Sequence, residues 1–146
     1  MDFGDAVARF AISANENIEE TVKGTSIKLF SNIIKESPVL DGRLKSNWQV
    51  SGAIPASGEV RTGDKSGSRT LASTERKVIG MANWQEITLT NNLPYAETIE
   101  YGNYGGGSAN GPDTINGFSK QAPSGLVRVN VRRFSVLLNA EARRNR

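Results

Sequence analysis

Glu97 and Glu100 stand three residues apart within Asn91-Asn92-Leu93-Pro94-Tyr95-Ala96-Glu97-Thr98-Ile99-Glu100-Tyr101-Gly102. On one helical turn, carboxylates at that spacing share a face and could in principle work as an acid/base pair. Glycoside hydrolysis needs its two carboxylates on either side of a cleft, which normally draws them from separate elements. The chain contains no histidine and no cysteine. Histidine general bases, thiol nucleophiles, Cys/His zinc sites and disulfides are therefore all removed. Catalysis is not expected, and neither a cofactor nor a metal is implied. Glu97 and Glu100 read instead as ion-pair partners for arginines, against the plainer alternative of a solvated charged face.

The arginines are concentrated at one end. Arg128, Arg132, Arg133, Arg143, Arg144 and Arg146 crowd the last stretch, with Glu141 as the one acidic residue among them. The plain interpretation is a solvated helix face whose last-turn cations suit the helix dipole. The sharper one is a surface that meets an acidic protein or nucleic acid. The arginines lack the interleaved aromatics of a single-strand groove, and no helix-turn-helix or RNA-recognition signature is present. Gly105-Gly106-Gly107 is not followed by a Lys-Ser/Thr pair and a helix, so a phosphate cradle is not expected either.

The elements that must position these residues can be read from periodicity. Phe3, Val7, Phe10, Ala14, Ile18 and Val22 recur at helical spacing, and Ile27, Phe30, Ile33 and Ile34 resume a similar face up to Ser37-Pro38. This predicts one long helix from about residue 2, ending before the proline, with Gly24 as the point where it could bend. Asp41-Gly42 is a turn signal, and Asp41 is placed to cap a short helix over 44–48. Alternation predicts a strand over 48–55 with a partner at 59–61, and a second, clearer strand over 84–90. Residues 62–74 are polar and glycine-bearing and read as a mobile loop, followed by a short helix from Ser73 past Val78. Pro94 opens and Gly102 stops a helix over 95–101. Residues 103–122 show no period and read as a long glycine-rich arm, carrying Tyr104 and Phe118, that orders against a neighbour or stays disordered. After Pro123, Val127, Val131, Phe134 and Leu138 recur at helical spacing through to Arg143, although the valines at 127, 129 and 131 also alternate like a strand.

With 146 residues, 37% hydrophobic and 23% charged, the chain reads as one domain over residues 1–146. It carries a net charge of +3 and has no apolar run near the roughly 20 residues that span a bilayer. The acidic start Met1-Asp2-Phe3-Gly4-Asp5 lacks the basic and apolar regions of a signal peptide, so a cytoplasmic site of synthesis is expected. The expected fold is α+β: long N-terminal and C-terminal helices packed on a small antiparallel sheet, with a long glycine-rich loop.

Three blocks in order resemble those of the tail-completion or neck proteins of tailed bacteriophages. Ser37-Pro38-Val39 with Gly42-Arg43-Leu44-Lys45-Ser46-Asn47-Trp48 follows the first helix. Residues 91–102, quoted above, form the second block. Gln121-Ala122-Pro123-Ser124-Gly125-Leu126-Val127-Arg128 opens the last helix. The resemblance implies a non-enzymatic virion protein at the head–tail junction, assembled in the host cytoplasm as a ring, with a homo-hexamer expected. Its implied partners are further copies of itself, the tail terminator, the tail tube and the head-closure or connector proteins. Non-specific proximity to DNA in the channel is also implied, and no membrane. Within such a ring, Tyr95, Glu97, Glu100, Tyr101, Tyr104 and Phe118 are expected to face the adjacent subunit, with Arg128, Arg132 and Arg133 supplying the opposite charge. The alternative from another class is a small basic nucleic-acid-associated or regulatory binding module. Its binding would fall steeply between about 50 and 200 mM salt.

Overall fold

A computed structural model describes residues 3–102 and 110–145, and for 3–14 the backbone path only. Helix α1 (Phe3–Glu36) runs unbroken through Gly24 and stops at Ser37, one residue before Pro38. Gly24 is the point of closest approach for Glu141, where any side chain would collide with the Glu141 carboxylate. Small size, not flexibility, is what the position requires.

A short helix α2 (Arg43–Ser46) follows, and its first free N–H, that of Arg43, is taken by Asp41 Oδ1 at 3.0 Å. Strand β1 (Trp48–Ser51) pairs antiparallel with β2 (Thr88–Asn91), Trp48 opposite Asn91 and Ser51 opposite Thr88. The two strands predicted from alternation exist, but both are shorter. The expected partner at 59–61 is not a strand. Val60 is tied instead to Asn47, whose Oδ1 accepts the Val60 N–H at 2.7 Å and whose Nδ2 donates to the Val60 carbonyl at 2.8 Å.

The predicted mobile loop at 62–74 is overturned over most of its length, because helix α3 (Ser68–Ile79) starts inside it. The missing signal is the cap. Asp64, four residues before the helix, accepts the Gly67 N–H, the Thr70 N–H and the Thr70 hydroxyl at 3.2, 2.9 and 2.9 Å. Partial burial would raise the Asp64 carboxyl. The hydrogen bonds from Thr70, the nearby Arg69 and the Gly67 N–H together hold it below its ordinary value.

Helix α4 (Ala96–Tyr101) stands where Pro94 and Gly102 place it, with Gly102 at φ +80°. The expected structureless arm over 103–122 is also corrected. Its residues 103–109 lie outside the described residues, and the remainder is a series of turns around a hairpin. Strand β3 (Thr114–Ile115) pairs with β4 (Phe118–Ser119) across Asn116-Gly117, both at positive φ. Asn-Gly between two apolar residues is the commonest two-residue hairpin signal.

The single C-terminal helix divides into α5 (Val127–Arg132) and α6 (Phe134–Arg144). Buried Asn130 donates through its side chain to the Leu126 carbonyl at 2.8 Å, while its own carbonyl accepts the Arg133 N–H at 3.1 Å. The i→i−3 bond ends α5.

The architecture is α+β, with two two-stranded antiparallel sheets and the long helix as the spine. One core holds Ile33, Ile34, Leu44, Trp48, Leu93, Ile99, Ala122 and Leu126. A second joins Phe30, Val50 and Val78. Both α3 and α5–α6 run antiparallel to α1. Gly67 meets Ile34 while the Ile79 carbonyl meets Lys23, and Asn130 meets Glu36 while Asn145 meets Thr21. No described helix is long and apolar enough to cross a membrane.

Candidate assembly interface

The three sequence blocks are far apart in the chain and adjacent in space. Leu44 and Trp48 from the first block, Leu93 and Ile99 from the second, and Ala122 and Leu126 from the third are all buried in one core. Polar ties lock the same joints. Asn91 Nδ2 donates to the Leu44 carbonyl at 2.9 Å, and Gln121 Oε1 accepts the Val39 N–H at 2.8 Å. Trp48 Nε1 donates to Ser37 Oγ at 2.8 Å, so the buried indole is satisfied.

Glu100 is the centre of this joint. Leu126, which precedes α5, offers no side-chain cap. The carboxylate of Glu100 reaches across from α4 instead, accepting the N–H groups of Leu126, Val127 and Arg128 at 2.8, 2.7 and 3.0 Å. A remote residue thereby satisfies donors that a helix start leaves orphaned. The Arg128 side chain closes the loop, Nε to Glu100 Oε1 at 2.9 Å and Nη2 to the Glu100 carbonyl at 2.6 Å. Its guanidinium also lies 4.9 Å from the centre of the Tyr101 ring, within cation–π range. Burial alone would raise the Glu100 carboxyl. The N–H groups of Arg128, Leu126 and Val127 and the Arg128 guanidinium outweigh it and hold the carboxyl below its ordinary value.

Gly125 makes the approach possible. Its φ is +84°, and a Cβ there would sit 2.6 Å from the Glu100 carbonyl oxygen.

Within the chain Arg128 and Glu100 pair with each other; the Arg128 side chain stays half exposed, and Glu100 is buried. With both oxygens committed to hydrogen bonds, it is also poorly placed to transfer a proton. Arg133 is likewise engaged by Glu36 at 3.2 Å. Tyr101 stays exposed beneath Arg128, and Tyr95 and Glu97 are exposed on α4. Phe118 is half-buried and packs its ring against Gly102. Arg132 is exposed and makes no ion pair among the described residues. Tyr104 lies outside the described residues.

Two surface regions were not legible from periodicity. At the α5–α6 junction, Val131 (53% exposed), Phe134 and Val136 (69%) face outward beside Arg132. Val131 and Phe134 belong to the helical stripe read from the sequence. The break at Arg133 leaves these two on the surface.

Along the middle of α1, the helices α1, α3 and α6 enclose an open groove of about 620 Å³. Ile27 and Ile79 contribute its apolar walls, and Glu16, Glu20 and Glu75 stand around it without an ion pair among the described residues. Its floor is Glu141, 1% exposed, set against Gly24 and paired with Lys28. Among the described residues no group of three or more carboxylates is arranged to hold a metal ion.

No family model, no curated protein and no solved structure matches this chain.

Proposed function

We propose that this chain is a non-enzymatic structural protein of a tailed-phage virion. It would act at the head–tail junction as a ring-forming tail-completion or neck protein. Its partners in this reading are further copies of itself, with a homo-hexamer expected, and the tail terminator, tail tube and head-closure or connector proteins.

The observation that carries the reading is the convergence of the three resembling blocks. The blocks span more than ninety residues of sequence, and Glu100 of the second block caps the helix that the third block opens. Here the blocks share one core, and each is tied to another by a buried or half-buried hydrogen bond. The blocks therefore describe one structural unit, and the resemblance rests on that unit and not on three independent words. The competing nucleic-acid module loses support, because Arg128 and Arg133 are engaged by Glu100 and Glu36.

A cryo-electron-microscopy map of the intact particle tests the proposal. The fold of α1, α3 and the Glu100 joint should be traceable as a ring between head and tail. A fully traced junction that lacks this fold would defeat it.

A further inference from the structure

The two surface regions described above are separated along α1 and have opposite character. The groove lies beside residues 16–28 of α1. The α5–α6 junction lies beside Glu36, where Asn130 and Arg133 bind it. At about 1.5 Å per residue, Glu20 and Glu36 are roughly 24 Å apart along the helix axis.

The groove carries Glu16, Glu20 and Glu75 free of ion pairs among the described residues. It also presents the exposed apolar side chain of Ile79 (58%). The junction carries exposed Arg132 together with Val131, Phe134 and Val136. On α5, positions 128, 131 and 132 share one face, so Val131 and Arg132 continue the patch formed by Arg128 over Tyr101. Lys23, Lys28 and Arg144 also line the groove but are paired with Glu19 and Glu141, so its carboxylates are in excess and match a basic projection with apolar side chains on the α5–α6 junction.

We propose that copies of this chain associate head to tail, with the α5–α6 junction of one seated in the α1/α3/α6 groove of the next. The occupant is a second copy because the complement of the groove is on the same chain, and because each patch fits the other better than it fits itself. Two copies of the groove would set carboxylates against carboxylates, and two copies of the junction would set arginine against arginine. That disfavours an isologous pair. A heterologous contact forms a ring where its rotation closes. This inference rests on the ring reading above and supplies the two surfaces that reading leaves unassigned.

The chain has no cysteine, which makes the test clean. Ile79→Cys and Val136→Cys are prepared in separate full-length chains, mixed, and treated with a short bis-maleimide at concentrations where the unmodified chain self-associates by light scattering. The expected product joins one chain of each kind. Either variant alone should give little cross-linked dimer.

Glu20→Arg and Arg132→Glu, both at exposed positions, are made in parallel, with circular dichroism confirming the fold. Each alone should weaken self-association roughly tenfold or more. Mixing the two should restore it, because every contact between unlike chains then pairs opposite charges.

Dominant homodimers from either cysteine variant would overturn the proposal. So would unchanged association in both charge reversals, or an unmodified chain that is monomeric at every concentration. If the particle map places the chain at the junction while the cross-link fails, these surfaces are wrong and the junction reading stands. If the cross-link forms but the chain is missing from the junction, the reverse holds.

Discussion

Glu100 and Glu141 are the same residue type, both buried, and the protein uses them in opposite ways. Glu100 accepts three backbone N–H groups and a guanidinium, so its charge is met by donors fixed in the fold. Glu141 lies against Gly24 with the Lys28 ammonium beside it and the Arg144 guanidinium at 3.8 Å. Among the described residues no backbone N–H donates to it. A carboxylate that replaces a helix cap is structural in a way that its neighbours cannot compensate. A carboxylate paired with mobile, partly exposed side chains can be lost while those partners return to water. Burial by itself therefore does not rank the two.

The largest effect that would break or confirm this contrast is at Glu100. Glu100→Ala strands three N–H donors at the α5 start and frees Arg128. It should cost about 3 kcal/mol of unfolding free energy, read from the denaturant midpoint. A loss below about 1 kcal/mol would mean that water caps α5 as well as the carboxylate does.

Next, Gly125→Ala should cost about 2 kcal/mol. It combines a positive φ with a collision against the Glu100 carbonyl. A double mutant with Glu100→Ala should lose less than the sum, because both act on one joint.

The third effect is on pH dependence. Glu100 and Asp64 both have carboxyls lowered in the folded state. Their contribution is fully present above the ordinary carboxyl values of 4.5 and 3.8, and disappears as pH falls through the lower folded values. Thermal midpoints should accordingly hold steady from neutral pH to about 5 and fall below about 4.5. Glu100→Gln should flatten part of that fall.

The smallest effect is expected at Glu141. Glu141→Leu keeps the volume and releases Lys28, which is already partly exposed, to solvent. Stability should change by less than about 1 kcal/mol in either direction. A loss as large as that of Glu100→Ala would remove the distinction drawn here.

Helical spacing was enough to read α1 over nearly its whole length, and Pro94 with Gly102 was enough for α4. Both signals are local. The loop assigned to 62–74 misled because the cap of α3 comes from Asp64, ahead of the helix, and depends on a turn at Gly67. The hairpin at Asn116-Gly117 carries a two-residue turn signal that a stretch rich in glycine masks. The C-terminal helix was expected in one piece because the apolar stripe continues across Arg133. The break comes from Asn130, whose side chain turns back to Leu126 and across to Glu36. No spacing rule pairs Glu100 with N–H groups 26 to 28 residues away.

What the sequence determined by itself is the set of short-range features: an amphipathic spine, two short strands, a proline-started helix with a glycine stop, and a chemistry without histidine or thiol. These follow from propensity, periodicity and side-chain inventory, which are properties of neighbouring residues. Only the tertiary structure decided which charges are consumed inside the chain and which remain on its surface. That depends on long-range proximity. Folding brings Glu100 to α5 and Glu36 to Arg133, and leaves Arg132 and the groove carboxylates facing outward.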